Sequence, residues 1–133
     1  FNVTAPPELY PFSLHDAFLL SKAADLAASL DATSAGPLEA LADLDYDVLV
    51  TATSVGLNED VSPIPISSIR EGSIVMDAVY DPPETRLLRD AAARGARTIG
   101  GKWMLVYQAQ EQLRLWSGRE APIEALAAAF DNA

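Results

Sequence analysis

Two short apolar segments in the middle of the chain most constrain its fold. Residues 47–53 (DVLVTAT) and 73–79 (SIVMDAV) are rich in β-branched side chains and bounded by turn-forming residues, as in strands that are buried on both faces. The second segment is followed by two prolines and a helical pattern over residues 84–94, which ends at Gly95. Strands that alternate with helices favour parallel pairing, so the sequence predicts an α/β fold in which helices flank a parallel sheet.

The rest of the chain extends this pattern within one predicted domain, residues 1–133. Ser13 is a suitable N-cap for a helix over residues 14–30, in which a break is expected near Ser21. The other predicted elements are a candidate linker at 31–37, a short helix from Pro37 to Ala42, a loop at 54–70, a strand at 97–99, and helices at 102–116 and 122–130.

Composition and charge exclude several classes of function. The net charge is −10, and residues 1–69 carry ten acidic side chains against one basic side chain, so neither nucleic acid nor a membrane surface is expected as a partner. The chain has no cysteine and a single histidine, which excludes thiolate zinc sites and disulfides and predicts no metal centre. No apolar run reaches the ~20 residues that span a bilayer, and no signal peptide is visible, so we expect a cytoplasmic protein.

Three segments at predicted strand ends are candidates for ligand contacts. They are residues 51–56 (TATSVG), 77–82 (DAVYDP) and 100–104 (GGKWM). Open α/β sheets bind ligands just beyond the carboxyl ends of their strands, where hydroxyls, glycines and a methionine could contact a nucleotide. The same residue types are common in turns, so composition leaves both interpretations open.

The same three regions carry longer motifs. Residues 49–57 (LVTATSVGL) are similar to L-x-N-A-T-S-x-G-M, residues 76–88 (MDAVYDPPETRLL) to D-x-V-Y-x-P-x-x-T-x-L-L, and residues 100–118 (GGKWMLVYQAQEQLRLWSG) to G-x-x-M-L-V-x-Q-A-x-x-Q-F-x-L-W-T-G. These are patterns of the shikimate dehydrogenase family, in that family's order and near its spacing. Over roughly residues 22–128 the chain therefore resembles the closing half of the family's Rossmann-like NADP-binding domain.

The resemblance implies a function and a set of contact residues. The family uses NADPH to reduce 3-dehydroshikimate to shikimate, reversibly. By resemblance, Gln108 and Tyr80 contact the substrate, and Gln108 offers both a donor and an acceptor. The implied cofactor contacts are Thr53, Ser54, Ala78, Gly101 and Met104. Four other residues are expected to be structural: Asp77 and Thr85 in the loop, and Trp103 and Trp116 in packing.

Motifs that carry the family's chemistry are absent or altered. The chain has no N-T-D-x-x-G motif for the catalytic aspartate and no G-x-G-G-x-x-R-A loop for the pyrophosphate. Residues 2–8 (NVTAPPE) align either with N-V-T-x-P-x-K, where Glu8 replaces the catalytic lysine, or with an N-R-T turn, where Val3 replaces an arginine that binds the 2′-phosphate. The second alignment needs the smaller length change and is favoured. We therefore expect an incomplete dinucleotide-binding domain with no catalytic residue, and no tight NADP binding by this chain alone.

Alternative functions stay open. Thr51 replaces an asparagine of the family, which favours a non-catalytic binding module on the same scaffold. A quinate or amino-shikimate dehydrogenase would share the closing motifs. Exposed strand edges in a half-domain also predict a partner, either a preceding N-terminal part of the same protein or a second copy in a homodimer. The start at Phe1, without an initiator methionine, favours a piece of a longer or processed protein.

Overall fold

A computed structural model describes residues 14–132 of the chain. The predictions for Ser13 and for residues 2–8, including Val3 and Glu8, fall outside these described residues. The chain divides into two compact units between Leu41 and Ala42, just beyond the predicted linker. That residues 1–133 form one domain stays a prediction.

The first unit contains one long helix, α1 (Leu14–Ser29). Its sequence is rich in alanine and leucine, which favour helix, and it continues through Ser21, so the predicted break there is wrong. The chain turns after α1 at Asp31, whose φ is 54°. A 3-10 helix (Leu38–Asp43) lies at the boundary of the units, where a short helix is predicted.

The second unit is built on a parallel three-stranded sheet. In spatial order its strands are β1 (Val48–Thr51), β2 (Ile74–Asp77) and β3 (Arg97–Ile99). Both pairs are parallel, with Thr51 opposite Asp77 and Met76 opposite Ile99. The predicted strands and their direction are confirmed, although the first two are shorter than predicted. All three strands therefore end at one edge, the carboxyl edge of the sheet.

Helix α2 (Arg86–Ala93) covers one face of this sheet. Val75 of β2 and Leu87 and Ala91 of α2 are fully buried. Leu87 and Ala91 lie four positions apart and so share one side of the helix. Burial of a valine or leucine side chain contributes about 1.5–3 kcal/mol, which makes this contact the main core. The chain leaves α2 through Gly95, whose φ of 77° favours glycine, as the sequence predicts.

Within the second unit, the opposite face of the sheet carries exposed apolar side chains. Residues paired across parallel strands point to one face, so Val50, Met76 and Ile99 lie together. On this face Val48 and Val50 are 54% and 56% exposed. The prediction of strands buried on both faces is therefore wrong for β1.

Helices α3 (Lys102–Ser117) and α4 (Ile123–Asp131) pack against each other. Gly118, with a φ of 67°, ends α3. Gln110 donates a hydrogen bond from Nε2 to the Ala121 carbonyl at 3.0 Å, which stabilises the loop between the two helices. Both helices agree with the predicted ranges to within about one residue at each end.

The two tryptophans of α3, which are expected from the sequence to be packing residues, are both exposed. Trp116 is 78% exposed, so that prediction is wrong for it. Trp103 is 43% exposed and contacts the Tyr107 ring, with 6.2 Å between centroids. The Lys102 ammonium lies 5.4 Å from the Trp103 ring, within reach of a cation–π interaction.

Tyr46 fastens the segment before β1 to the segment before β2. Its hydroxyl donates to the Ser68 carbonyl at 2.7 Å and accepts from the Arg70 amide at 3.1 Å. We expect Tyr46→Phe to lower the free energy of unfolding by about 1 kcal/mol, because the carbonyl of buried Ser68 loses its donor. Urea unfolding measures this, with Tyr107→Phe on α3 as the control. Equal shifts of the two midpoints would contradict the role of Tyr46.

Candidate functional site

The carboxyl edge of the sheet gathers the contact residues that the sequence predicts. They follow the strands in turn: Thr53 and Ser54 after β1, Ala78 and Tyr80 after β2, and Gly101, Met104 and Gln108 after β3. Because the strands are parallel and adjacent, the three segments that carry these residues start side by side.

The turn after β1 presents hydroxyl groups at the surface. Thr53 and Ser54 are exposed. The Thr53 hydroxyl accepts from the Val55 amide at 3.3 Å, and the Leu57 amide donates to the Ser54 carbonyl at 3.2 Å. Gly56 then continues the turn with a φ of 94°. A ligand could reach both hydroxyls without displacing a core side chain.

A buried carboxylate lies at the end of β2. Asp77 is 1% exposed. Its Oδ1 accepts from the Thr51 hydroxyl at 2.8 Å and from the Val79 amide at 3.2 Å, and its Oδ2 accepts from the Thr85 hydroxyl at 2.7 Å. These hydrogen bonds offset the cost of burying the group. The expectation that Asp77 and Thr85 fix the local structure is confirmed.

Gly101 brings the start of α3 against the turn after β2. A Cβ atom on Gly101 would lie 2.3 Å from the Ala78 carbonyl oxygen and 2.7 Å from the Val79 carbonyl oxygen, closer than real side-chain atoms come. The Gly101 amide also donates to the Val79 carbonyl at 3.2 Å. Its φ of −64° suits any residue. The need for glycine is therefore steric, and the two segments meet backbone to backbone.

Met104 and Gln108 lie on one side of α3. They are four residues apart, which is about one helical turn, and both are exposed. Gln108 lines a groove of about 360 Å³ between α3 and α4. The other residues of the groove are mostly apolar: Leu105, Val106, Ala109, Gln112, Leu126, Ala129 and Phe130. An amide in such a groove suits a ligand that carries hydroxyl groups.

Tyr80 links the turn after β2 to the end of α4. Its ring meets the Phe130 ring edge-on, with 6.0 Å between centroids and an interplanar angle of 75°. Phe130 also lines the groove that contains Gln108. Lys102 lies beside the same ring, 5.8 Å from its centroid, and its Nζ is 2.5 Å from an Asp131 carboxylate oxygen. The two predicted substrate residues, Tyr80 and Gln108, are therefore both neighbours of Phe130.

Phe130 and Lys102 were not identified from the sequence as parts of this site. A helix over residues 122–130 is predicted, but its apolar pattern does not show that its end returns to the carboxyl edge. That return depends on how α3 and α4 pack. A lysine directly after a motif glycine is the one signal that could have drawn attention to Lys102.

Two kinds of site are absent from the described residues. Across residues 14–132, no group of three or more acidic, cysteine or histidine side chains could hold a metal ion. In that same range every helix is too short or too polar to cross a bilayer.

The parallel sheet, with hydroxyls and a close-contact glycine collected at its carboxyl edge, defines a Rossmann-like α/β unit. Comparison with known proteins agrees. Residues 101–129 match the family described as "Shikimate 5'-dehydrogenase C-terminal domain". A shikimate dehydrogenase (NADP(+)) of Natronomonas pharaonis is 52% identical over 108 residues, which are 79% of this chain and 40% of the relative. The chain belongs to the shikimate dehydrogenase family, and it spans about two-fifths of the length of the curated relatives that it matches.

Solved structures give the same result. The shikimate 5-dehydrogenase of Thermus thermophilus, in complex with NADP(H) and shikimate, has a TM-score of 0.78 and 33% identity, covering 85% of this chain and 42% of its own. The quinate dehydrogenase of Corynebacterium glutamicum, in complex with NAD, has a TM-score of 0.76 and 26% identity, covering 89% of this chain and 44% of its own. The predicted fold and family are confirmed.

Proposed function

We propose that this chain forms the nicotinamide side and part of the substrate side of a cytoplasmic, NADP-dependent shikimate dehydrogenase. The reaction is the reversible reduction of 3-dehydroshikimate to shikimate. The observation that carries the proposal is the backbone contact of Gly101 with Ala78 and Val79, which joins the start of α3 to the turn after β2. The family relationship supplies the identity of the reaction.

The residues present fit the end of a dinucleotide that carries the nicotinamide. Ala78 leaves room for a flat ring, because its side chain ends at Cβ, and Gly101 lets the start of α3 approach the Ala78 backbone closely. Met104 is 40% exposed and lies in the first turn of α3, three residues after Gly101. The exposed hydroxyls of Thr53 and Ser54 could accept or donate hydrogen bonds to a ribose. No pyrophosphate loop occurs in the sequence, so these residues would hold only this end.

On the substrate side, Gln108 and Tyr80 orient the substrate. A ring that carries several hydroxyls needs groups that both donate and accept, and the amide and the phenol do so. When bound, NADPH supplies the hydride. A proton donor must also stand beside the substrate carbonyl. Neither of the chain's two lysines, Lys22 and Lys102, lies in a motif of the family's catalytic residues. The proposal therefore assigns binding roles and no catalytic residue to this chain.

A hybrid enzyme tests this function. This chain would replace the matching segment of the Natronomonas pharaonis relative, and shikimate-dependent formation of NADPH would be followed. We expect turnover by the hybrid and none by the 133-residue chain alone. In the hybrid, Gln108→Ala should raise the KM for shikimate about tenfold, the equivalent of ~1.4 kcal/mol for one lost hydrogen bond.

Gln112→Ala is the matched control, because Gln112 lines the same groove one turn further along α3. We expect it to leave the KM unchanged. Equal effects of the two substitutions would contradict the role of Gln108. A hybrid that folds and binds NADP+ but lacks turnover would instead favour the non-catalytic binding module.

The likeness to a quinate dehydrogenase supports a second candidate, which differs in substrate. The hybrid distinguishes the two when shikimate and quinate are compared at equal concentration. A larger kcat/KM for quinate would favour the second candidate.

A further inference from the structure

We propose that Asp77 and Thr85 are positioning residues that hold the nicotinamide surface in shape. The inference rests on the proposed function, since it concerns the same surface. Neither side chain is available to a ligand, because Asp77 is 1% exposed and Thr85 is fully buried. They act through the backbone of Ala78, Val79 and Gly101.

The Asp77 carboxylate is surrounded by donors. Its three partners are the hydroxyls of Thr51 and Thr85 and the amide of Val79. An ionised carboxylate accepts all three bonds and needs to donate none. The group therefore joins the end of β1, the turn after β2 and the start of α2 at a single point. Buried networks with every member satisfied make the local structure rigid.

The network continues to α3 through Val79. The Val79 amide donates to Asp77, and the Val79 carbonyl accepts from the Gly101 amide at 3.2 Å. A shift of the Val79 peptide would therefore move the first residue of the segment that carries Met104. A Cβ atom at Gly101 would lie 2.3 Å from the Ala78 carbonyl oxygen, so the two backbone segments pack closely at this junction.

Thr85 is the second fixed point. Its hydroxyl donates to Asp77 and accepts from the Leu88 amide at 3.4 Å, which caps α2. Its side chain also lies next to Gly56, where an added Cβ atom would be 3.6 Å from the Thr85 Cβ. Thr85 thus contacts the turn after β1 as well as the turn after β2. The two residues contact the turns after β1 and β2 directly, and they reach the segment that begins at Gly101 through Val79.

The test uses the 133-residue chain, uniformly labelled with ¹⁵N, and compares Thr85→Val with Thr85→Ser. Valine keeps the shape and removes the hydroxyl, whereas serine keeps both hydrogen bonds. We expect amide exchange at Val79 and Gly101 to accelerate about tenfold in Thr85→Val, measured relative to Val75 in the core, and to stay near the wild-type ratio in Thr85→Ser.

Ser73→Ala is the matched control. Ser73 is a buried hydroxyl at the opposite end of the same strand region, and it donates to the Arg70 carbonyl at 2.7 Å. It should lose comparable stability without changing the exchange ratio at Val79 and Gly101. Unchanged ratios in Thr85→Val, or equal changes in Ser73→Ala, would overturn the positioning role.

Titration with NADP+ at millimolar concentration separates this inference from the proposed function. We expect the NMR signals of the Ala78 and Gly101 amides to change chemical shift in the wild type, in Thr85→Ser and in Ser73→Ala. In Thr85→Val these chemical-shift changes should be smaller. The absence of shifts in the wild type would overturn the proposed function, and with it the assignment of the network to a nicotinamide surface. Equal shifts in all four proteins would overturn the positioning role alone.

Discussion

Gly101→Ala is expected to be the most damaging single-methyl substitution in the second unit. The new Cβ atom would lie 2.3 Å from one backbone carbonyl oxygen and 2.7 Å from another. Backbone atoms at the end of a paired strand cannot move aside as a flexible side chain can. Overpacking of this kind costs about 1–3 kcal/mol or more, and relief would separate the start of α3 from the turn after β2. Urea unfolding followed by circular dichroism measures the loss of stability.

Alanine substitutions at two other glycines, which have more space around them, serve as comparisons for Gly101→Ala. A Cβ atom on Gly100 would lie 3.2 Å from the Pro83 carbonyl oxygen, so Gly100→Ala should cost less than Gly101→Ala. Nothing lies within 4 Å at Gly36, so Gly36→Ala should be nearly neutral. In the hybrid enzyme, we also expect Gly101→Ala to abolish NADP+ binding. A Gly101→Ala protein with wild-type stability would contradict the steric role of Gly101.

Asp77→Ala is expected to lower the free energy of unfolding by about 2–4 kcal/mol. The substitution leaves the hydroxyls of Thr51 and Thr85 and the amide of Val79 without their acceptor in a buried site. Each buried polar group that loses its partner costs about 1–3 kcal/mol, and rotation of the two hydroxyls recovers part of this. The loss is measured by urea unfolding.

Asp77→Asn separates shape from hydrogen-bond chemistry. The amide has the same size but presents one donor group where the carboxylate presents an acceptor. The Thr85 hydroxyl can accept that donor, so we expect Asp77→Asn to be less destabilising than Asp77→Ala by more than about 1 kcal/mol. Equal losses would indicate that packing, and not hydrogen bonding, accounts for the effect of residue 77.

Local patterns predicted most of the second unit. The apolar, β-branched runs around Val50 and Val75 identify two strands, because side chains of that type fit a pleated surface. Gly95 and Gly118 mark helix ends, because their left-handed backbone favours glycine. The predicted contact residues, among them Thr53 and Gln108, could be chosen because a motif is read directly from neighbouring positions. Their roles stay predictions.

Other features could not be read from local patterns. The apolar residues of β1 suggest burial on both faces, yet Val48 and Val50 are exposed in the described structure. Trp116 has a large apolar side chain of the kind found in protein cores, yet it lies at the surface. Hydrophobicity shows that a side chain favours burial, but whether another segment covers it depends on the tertiary arrangement.

By itself, the sequence determined the alternation of strands and helices, their parallel order and the family to which the chain belongs. The tertiary structure alone decided that Asp77 is buried with Thr85 and that Gly101 contacts the carbonyls of Ala78 and Val79. The reason is physical: periodicity and turn residues report the backbone within a few positions. Contacts between distant positions depend on strand register and helix packing, which only the folded chain sets.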